Sequence, residues 1–411
     1  MPPPLNERLI LVVVAAVQFI NILDFMMVMP LGPDFATSIG IPLPMLGLVG
    51  GSYTAAAAVS GIVCSLFLDR FDRRPALAVA MLGLVAGTAA GGLAVDLPTM
   101  VAARVVAGAF GGPATSLALS IIADVIPAER RGRAMGQVMG AFSAASVLGV
   151  PGALELAHLG GWRLPFYSVA GLGVLVILGA LWWLPTLRGH IGARTRMVPT
   201  STAALLRKPI VVFSLLATMS TAAAGFVIFP NLTAWVQYNV GYPREHLGIL
   251  YMVGGACSFF SMRMVGRLID RFGGFWVAAV TSVAFALNHL ATFYTEQPLL
   301  PMVLVFVVMM VANSSRNVAL SSVSSRVPLP EERARFLSAQ SALQHTSMAL
   351  GAVVASVLLT ELPDHHLVGI ERAATVSIVC TLMLPVLIGL VERRLKDRAA
   401  AAPAGEPALA P

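Results

Sequence analysis

Apolar runs of 18 or more residues, each bounded by charge or by Pro/Gly, recur twelve times: near 9–32, 45–68, 75–95, 99–126, 133–158, 164–185, 209–239, 245–269, 275–294, 299–326, 336–361 and 368–392. A helix of that length crosses the ~30 Å hydrocarbon core of a bilayer, and no soluble fold has room for a dozen. Composition agrees, with 57% hydrophobic and only 11% charged residues, where soluble domains carry about 25% charge. Twelve spans of about 20 residues take up about 240 positions, and the remainder of the 411 suffices for helix ends and loops. The fold class expected is an all-α polytopic membrane protein, with the lipid bilayer as its first partner. Cys64, Cys257 and Cys380 lie in separate apolar runs without metal or redox spacing and read as small buried hydrophobes. The first run holds no small-residue cleavage site and outlasts a signal peptide, so it reads as a retained span.

The net charge of +7 does not mark nucleic-acid binding, because the basic residues sit in short clusters between apolar runs. With the N-terminus placed inside, 21 Lys/Arg fall on inner loops and ends and only Arg163, Arg244 and Arg372 on outer ones. Basic residues resist translocation, so this asymmetry predicts an inner-membrane protein with both termini cytoplasmic.

An internal repeat runs at an offset of about 200: Pro30 returns as Pro230, Asp69-Arg70-Phe71 as Asp270-Arg271-Phe272, Arg131-Gly-Arg133 as Arg333-Ala-Arg335, and Gly149 as Gly351. Parallel six-helix repeats are the pattern of transporters whose halves rock about a central site. The expected division is an N-terminal half (1–185), a basic linker (186–208), a C-terminal half (209–392) and an Ala/Pro-rich disordered tail (393–411). No Gly-rich phosphate loop with Lys, metal-ligand cluster or nucleophile with a positioned base occurs, which speaks against an enzyme.

The loop after the second run reads Ser65-Leu-Phe-Leu-Asp69-Arg70-Phe-Asp72-Arg73-Arg74, and its copy reads Gly266-Arg-Leu-Ile-Asp270-Arg271-Phe-Gly273. Arg104 is followed by small residues, and Ile122-Ala-Asp124 leads to Glu129-Arg-Arg-Gly132-Arg133. With these motifs the chain resembles the major facilitator superfamily, and within it the twelve-helix drug:proton antiporter branch, over residues 5 to 395. The resemblance implies two pseudo-symmetric six-helix halves around a central cavity. It also implies a conformational latch drawn from Asp69, Arg70, Arg73, Asp124, Arg133, Asp270 and Arg271. An acid at such a helix end can accept from a neighbouring helix N-terminus and pair with Arg. Gly149, Pro151 and Gly152 match a helix-packing and kinking pattern of the fifth helix.

Two charges lie deep in the first half. Arg104 sits about 7 Å below the outer end of its run and Asp24 about 22 Å above the inner end of its own, comparable depths at 1.5 Å per residue. An ionised Asp there costs roughly 2.5–3.5 kcal/mol unless it is paired, hydrated or protonated. Desolvation and an Arg pull its proton affinity in opposite directions, so an Asp24/Arg104 pair suits proton coupling, with Asp34 as an outer-mouth acceptor. Gln18, Asn21, Asn231, Asn313, Arg316, Gln344 and His345 are the residues expected to face a substrate cavity. Neither metal nor cofactor is expected, the proton gradient being the energy source. The function expected is proton-coupled efflux of small amphipathic or hydrophobic compounds by a monomer working through alternating access. Uptake symport of a sugar or organic acid, with Arg316 on a carboxylate, and a non-transporting sensor or scaffold are the alternatives left open.

Overall fold

The computed structural model describes residues 7–65, 70–187, 202–295, 297–329 and 332–400. Among the described residues twelve helices are long and apolar enough to cross a membrane: spans 1 to 6 are Glu7–Met27, Leu43–Cys64, Arg73–Gly92, Leu97–Val125, Ala134–Gly160 and Arg163–Trp183. Spans 7 to 12 are Pro209–Tyr238, Arg244–Phe272, Gly274–Phe293, Met302–Ser324, Arg335–Leu358 and Ile370–Arg398. Side chains such as Val59, Leu175 and Val280 are more than half exposed, as lipid-facing positions must be. The side on which spans 1 and 7 begin and spans 6 and 12 end is called the linker side below, and the opposite side the far side.

The repeated prolines have a common structural result. Span 1 stops at Met27 and resumes as Gly32–Ile39, and span 7 breaks between Phe226 and Phe229. Each break precedes or contains its proline, Pro30 or Pro230, whose missing N–H and ring bulk interrupt the ladder. Span 5 is irregular too: a π-turn over Ala145–Gly149 leads into Val150–Gly160, with Pro151 in its first turn. A Cβ on Gly149 would lie 2.7 Å from Leu23, so this glycine packs on span 1, whereas Gly152 faces open space.

The two copies of the loop motif cap the following helix differently. Asp72 takes the N-cap of span 3, accepting from the N–H of Arg74 and of Leu187, both at 3.1 Å. The second copy has Gly273 there, and Glu392 of span 12 reaches across to accept from Gly274 N–H at 2.9 Å. Of the expected latch, Arg73 Nε and Asp124 Oδ2 meet at 3.1 Å, spans 3 and 4 of the same six. Arg70, Asp270 and Arg271 are exposed, while Asp69 and the Arg133 side chain lie outside the described residues.

Two expectations are corrected. Span 12 continues as helix to Ala400, so residues 393–400 are not a structureless tail. Arg, Leu, Lys and Ala are strong helix formers, and Arg398 ties this end to the carbonyls of Val327 (3.0 Å) and Arg326 (2.9 Å). Residues 359–369 hold a short far-side hairpin, Thr360–Glu361 paired with Leu367–Val368, where a span ending near 361 and a plain connection to the next at 368 were expected. Asp72→Ala removes a cap with two backbone partners and is expected to cost about 1–2 kcal/mol, read as lowered thermal stability in detergent. Asp72→Asn, which keeps the acceptor, should recover most of it.

Candidate functional site

Asp24 and Arg104 do meet. The span 1 carboxylate Oδ1 accepts from Arg104 Nη1 at 3.0 Å and from Thr88 Oγ1 of span 3 at 2.7 Å, and both charged side chains are fully buried. Arg104 also lies under the Tyr53 ring of span 2, 4.7 Å from its centroid, a cation–π contact strengthened by desolvation. Span 4 comes this close to span 2 because Gly108 has no side chain: a Cβ there would sit 2.2 Å from the Tyr53 carbonyl oxygen. Four spans thus converge on one ion pair. Asp24 Oδ2 and Arg104 Nε have no hydrogen-bond partner, so the pair retains an open acceptor and an open donor.

Asn21, expected in the substrate cavity, is a clasp between helices instead. It donates to Gly111 O (2.6 Å) and Thr115 Oγ1 (3.1 Å) and accepts from Tyr53 Oη (2.6 Å). Sequence reasoning missed Tyr53 and Thr88; the only signal was a polar atom on an otherwise apolar helix face. Among the described residues the second six spans carry no counterpart of the pair. The position matching Asp24 is Ala224, whose carbonyl accepts from Ser377 Oγ at 2.6 Å.

Arg316 is corrected likewise. Its guanidinium turns toward spans 9 and 12, donating to Thr381 Oγ1 and to Asn313 Oδ1 (3.0 Å) and lying 4.0 Å from the Phe285 centroid. Arg316 is fully buried. Asn313 is held by Arg316, and Asn231 is fully buried with both amide atoms unpartnered. Gln18 is buried with Oε1 unpartnered, and the partly buried His345 keeps an unpartnered Nδ1. His289 packs between Phe285 and Phe293, at 4.2 and 5.3 Å between ring centroids.

A cavity of about 220 Å³ does open, but among spans 7, 10 and 11. Of the residues expected to face a cavity, only Gln344 lines this one; Arg316, Asn313, Asn231 and His345 do not. Its lining residues on span 7, Thr218 and Thr221, lie roughly 14–18 Å from the linker-side end of that helix. The cavity therefore belongs to the linker-side half of the bilayer.

The far side is closed. Phe25 of span 1 stacks on Phe226 of span 7 at 5.8 Å and 18°, and a Cβ on Gly47 would stand 2.7 Å from the Ala352 carbonyl, so spans 2 and 11 touch backbone to backbone. Asp34 forms a bidentate pair with Arg244 of the second six, at 2.5 and 2.7 Å. Glu361 accepts from the Leu43 N–H at 2.7 Å and contacts His365 Nδ1 at 2.6 Å. In the sequence Arg244 stands out only as one of three outer basic residues. Burial pushes the Asp34 carboxyl up to about 6, with Arg244 opposing the shift.

A model of the Major Facilitator Superfamily matches residues 14–352 and 214–410 of the chain. The chain belongs to the major facilitator superfamily. Among its relatives, a chloramphenicol resistance protein of Streptomyces lividans is 28% identical over 239 residues, covering 58% of this chain and 61% of that protein. The inner membrane transport protein YdhP of Escherichia coli K12 is 28% identical over 245 residues, covering 59% of this chain and 62% of that protein. The matched stretch therefore spans less than two thirds of the length of either relative. In structure the chain is similar to a bacterial homolog of the human lysosomal transporter Spinster in an inward-facing, occupied conformation, with a TM-score of 0.77 at 17% identity over 98% of this chain and 100% of that one. That likeness is one of fold. The chain is thus a multi-pass membrane protein of this superfamily.

Two outcomes follow from the geometry. Arg104→Leu leaves a buried carboxylate uncompensated and should cost about 3–5 kcal/mol in thermal unfolding, whereas the double variant Asp24→Asn/Arg104→Leu should lose much less, giving a large coupling in the cycle. At the far side, Asp34 binds its proton more tightly when closed (about 6) than when solvated (3.8). Its contribution to closure is complete below the lower value and is lost as pH rises through about 6, by up to about 100-fold. Spin labels on the far-side ends of spans 1 and 7 should report more opening at neutral than at acid pH, and Asp34→Asn should flatten that dependence.

Proposed function

We propose that the chain is a proton-coupled exporter working by alternating access, with its linker side in the cytoplasm and its two six-helix halves, 1–185 and 209–392, as the moving bodies. The observation that carries the proposal is the Asp24–Arg104 pair. Asp24 is the one fully buried acid within a span among the described residues, and one of its carboxylate oxygens has no partner. A carboxylate in that state takes a proton when Arg104 moves away and releases it when Arg104 returns. Thr88 Oγ1 lies within reach of both Asp24 Oδ1 and its own Leu84 carbonyl, so its single proton goes to the ionised carboxylate and turns to Leu84 O once Asp24 is protonated, keeping the hydroxyl beside the carboxyl through either step.

A proton taken from an acidic far side meets Asp34 first. Its protonation favours closure of the far side, which carries the loaded carrier toward the linker side. Each proton moving inward down ~100 mV supplies ~2.3 kcal/mol for this cycle. Export agrees with the relative named for chloramphenicol resistance, since a membrane carrier protects a cell by removing a toxic solute. The 21-to-3 distribution of basic residues supports cytoplasmic termini. Intact cross-half pairing inside one chain supports a monomer.

The test is solute-driven proton movement in proteoliposomes with a trapped pH dye. The wild-type chain is expected to move protons opposite to solute, and Asp24→Asn to abolish proton movement while solute counterflow persists. Proton movement in the same direction as the solute would identify a symporter instead, and undiminished proton coupling in Asp24→Asn would remove this residue as the carrier.

A further inference from the structure

The 220 Å³ cavity among spans 7, 10 and 11 is of a different chemistry from the site that holds the ion pair. Of its eleven lining residues, eight bear a hydroxyl or a side-chain amide, three are Ala or Leu, and none is charged or aromatic. We propose that this cavity is the solute subsite, and that its solute is a small uncharged molecule carrying several hydroxyl groups. The inference rests on the transport reading above and gives it a substrate class, one other than the hydrophobic amphipath expected from the family resemblance.

The hydrogen bonding of the lining argues for that class. Thr218 and Thr221 give their hydroxyl protons to the carbonyls of Ser214 (3.1 Å) and Ala217 (2.9 Å). What they offer the cavity is therefore oxygen lone pairs. One on Thr218 is used by Gln340 Nε2 at 3.0 Å, which fixes that amide so that its own Oε1 is left as an acceptor. Asn317 donates to Asn313 O at 2.9 Å and likewise keeps its carbonyl oxygen. Gln344 and Ser321, both exposed to the cavity, supply N–H and O–H donors. The wall presents several acceptors interleaved with donors. A hydroxyl group both donates and accepts, so a polyhydroxylated solute satisfies such a wall.

Other classes fit poorly. An anion would find no cation in this lining, and Arg316, the one buried arginine of this half among the described residues, faces Phe285 and Thr381. A lipophilic cation would find neither a carboxylate nor an aromatic face. A large apolar drug would leave the amides and hydroxyls unpaired, at about 1–3 kcal/mol each. The volume of 220 Å³ falls below the ~300–1,000 Å³ of drug-sized pockets, which favours a compact solute.

Binding to the full chain in detergent, by calorimetry or thermal shift, tests this with xylitol and glucose as neutral polyols, benzoate as an anion and tetraphenylphosphonium as a lipophilic cation. At least one polyol is expected to bind, and Thr221→Val, Asn317→Leu and Gln344→Leu are each expected to weaken it about tenfold or more. Gln344→Glu, which retains an acceptor and introduces charge, serves as a second variant at an exposed position and should weaken the polyol as well. Binding of benzoate or tetraphenylphosphonium without either polyol overturns the proposal, as does polyol binding that all three apolar variants leave unchanged, or no binding of any probe. The binding measurement is separate from the proton measurement. Polyol binding without proton movement would refute antiport and keep the subsite; proton-coupled movement of tetraphenylphosphonium alone would do the reverse.

Discussion

A carboxylate and a guanidinium, both without access to water, are held together at Asp24 and Arg104, and much of the first six spans is arranged so that they can be. The ionised pair is tolerable only if the partners are close and their remaining groups are mostly satisfied. Thr88 from span 3 supplies a hydrogen bond and Tyr53 from span 2 supplies its ring. Asn21 ties Tyr53 to the backbone of span 4. The contacts between spans 2 and 4 need these helices nearer than ordinary side chains permit, which is where Gly108 enters. The ion pair and the small-residue packing are thus one feature seen at two levels.

The second six spans solve the same packing problem without a charge pair. Where span 1 has Asp24, span 7 has Ala224, and a serine hydroxyl bonded to a carbonyl replaces the salt bridge. Arg316 remains as a cation braced by neutral acceptors and an aromatic ring. The loop copies have diverged and compensated in a similar way. Asp72 caps its own helix, and its glycine counterpart is capped from span 12 by Glu392. Repeat symmetry therefore fixes the backbone while leaving each half its own side-chain chemistry.

Much of the architecture was legible in the chain because bilayer physics is written in runs of residues: twelve spans, with ends within a few residues except at the final helix, which continues through its charged end to Ala400. The depths of Asp24 and Arg104 were legible as well, since rise per residue converts position into height. Azimuth was not. Asn21, Asn313 and Arg316 have the depth of cavity residues, but the side chains of Asn21 and Arg316 face neighbouring helices and that of Asn313 accepts from Arg316 on its own helix. Helix rotation is set by packing across all twelve spans, and an apolar run with a low contrast between its faces does not announce it. The partners Thr88, Tyr53 and Arg244 were hidden for a related reason. Each is ordinary in its own segment and gains meaning only from what another segment brings to it.

The placement of proton site and cavity constrains how coupling can work. Counting along the helices, Asp24 lies roughly 26 Å from the linker-side end of span 1, whereas Thr218 lies roughly 14 Å from that of span 7. The two sites differ in depth by about 10 Å, too far for solute and proton to compete for the same atoms. Coupling on the proposed reading must then pass through the contacts that both halves share. Those the structure describes include the Phe25–Phe226 stack, beside Asp24 on one helix and within two turns of Thr221 on the other. Phe25 also packs on Tyr53, at 5.3 Å, and Tyr53 covers Arg104. A change in the hold of Arg104 on Asp24 therefore reaches the interface of the halves through two aromatic rings. Separation of those rings would at once open the far side and expose the carboxylate, so that release of the gate and exchange of the proton become parts of one movement.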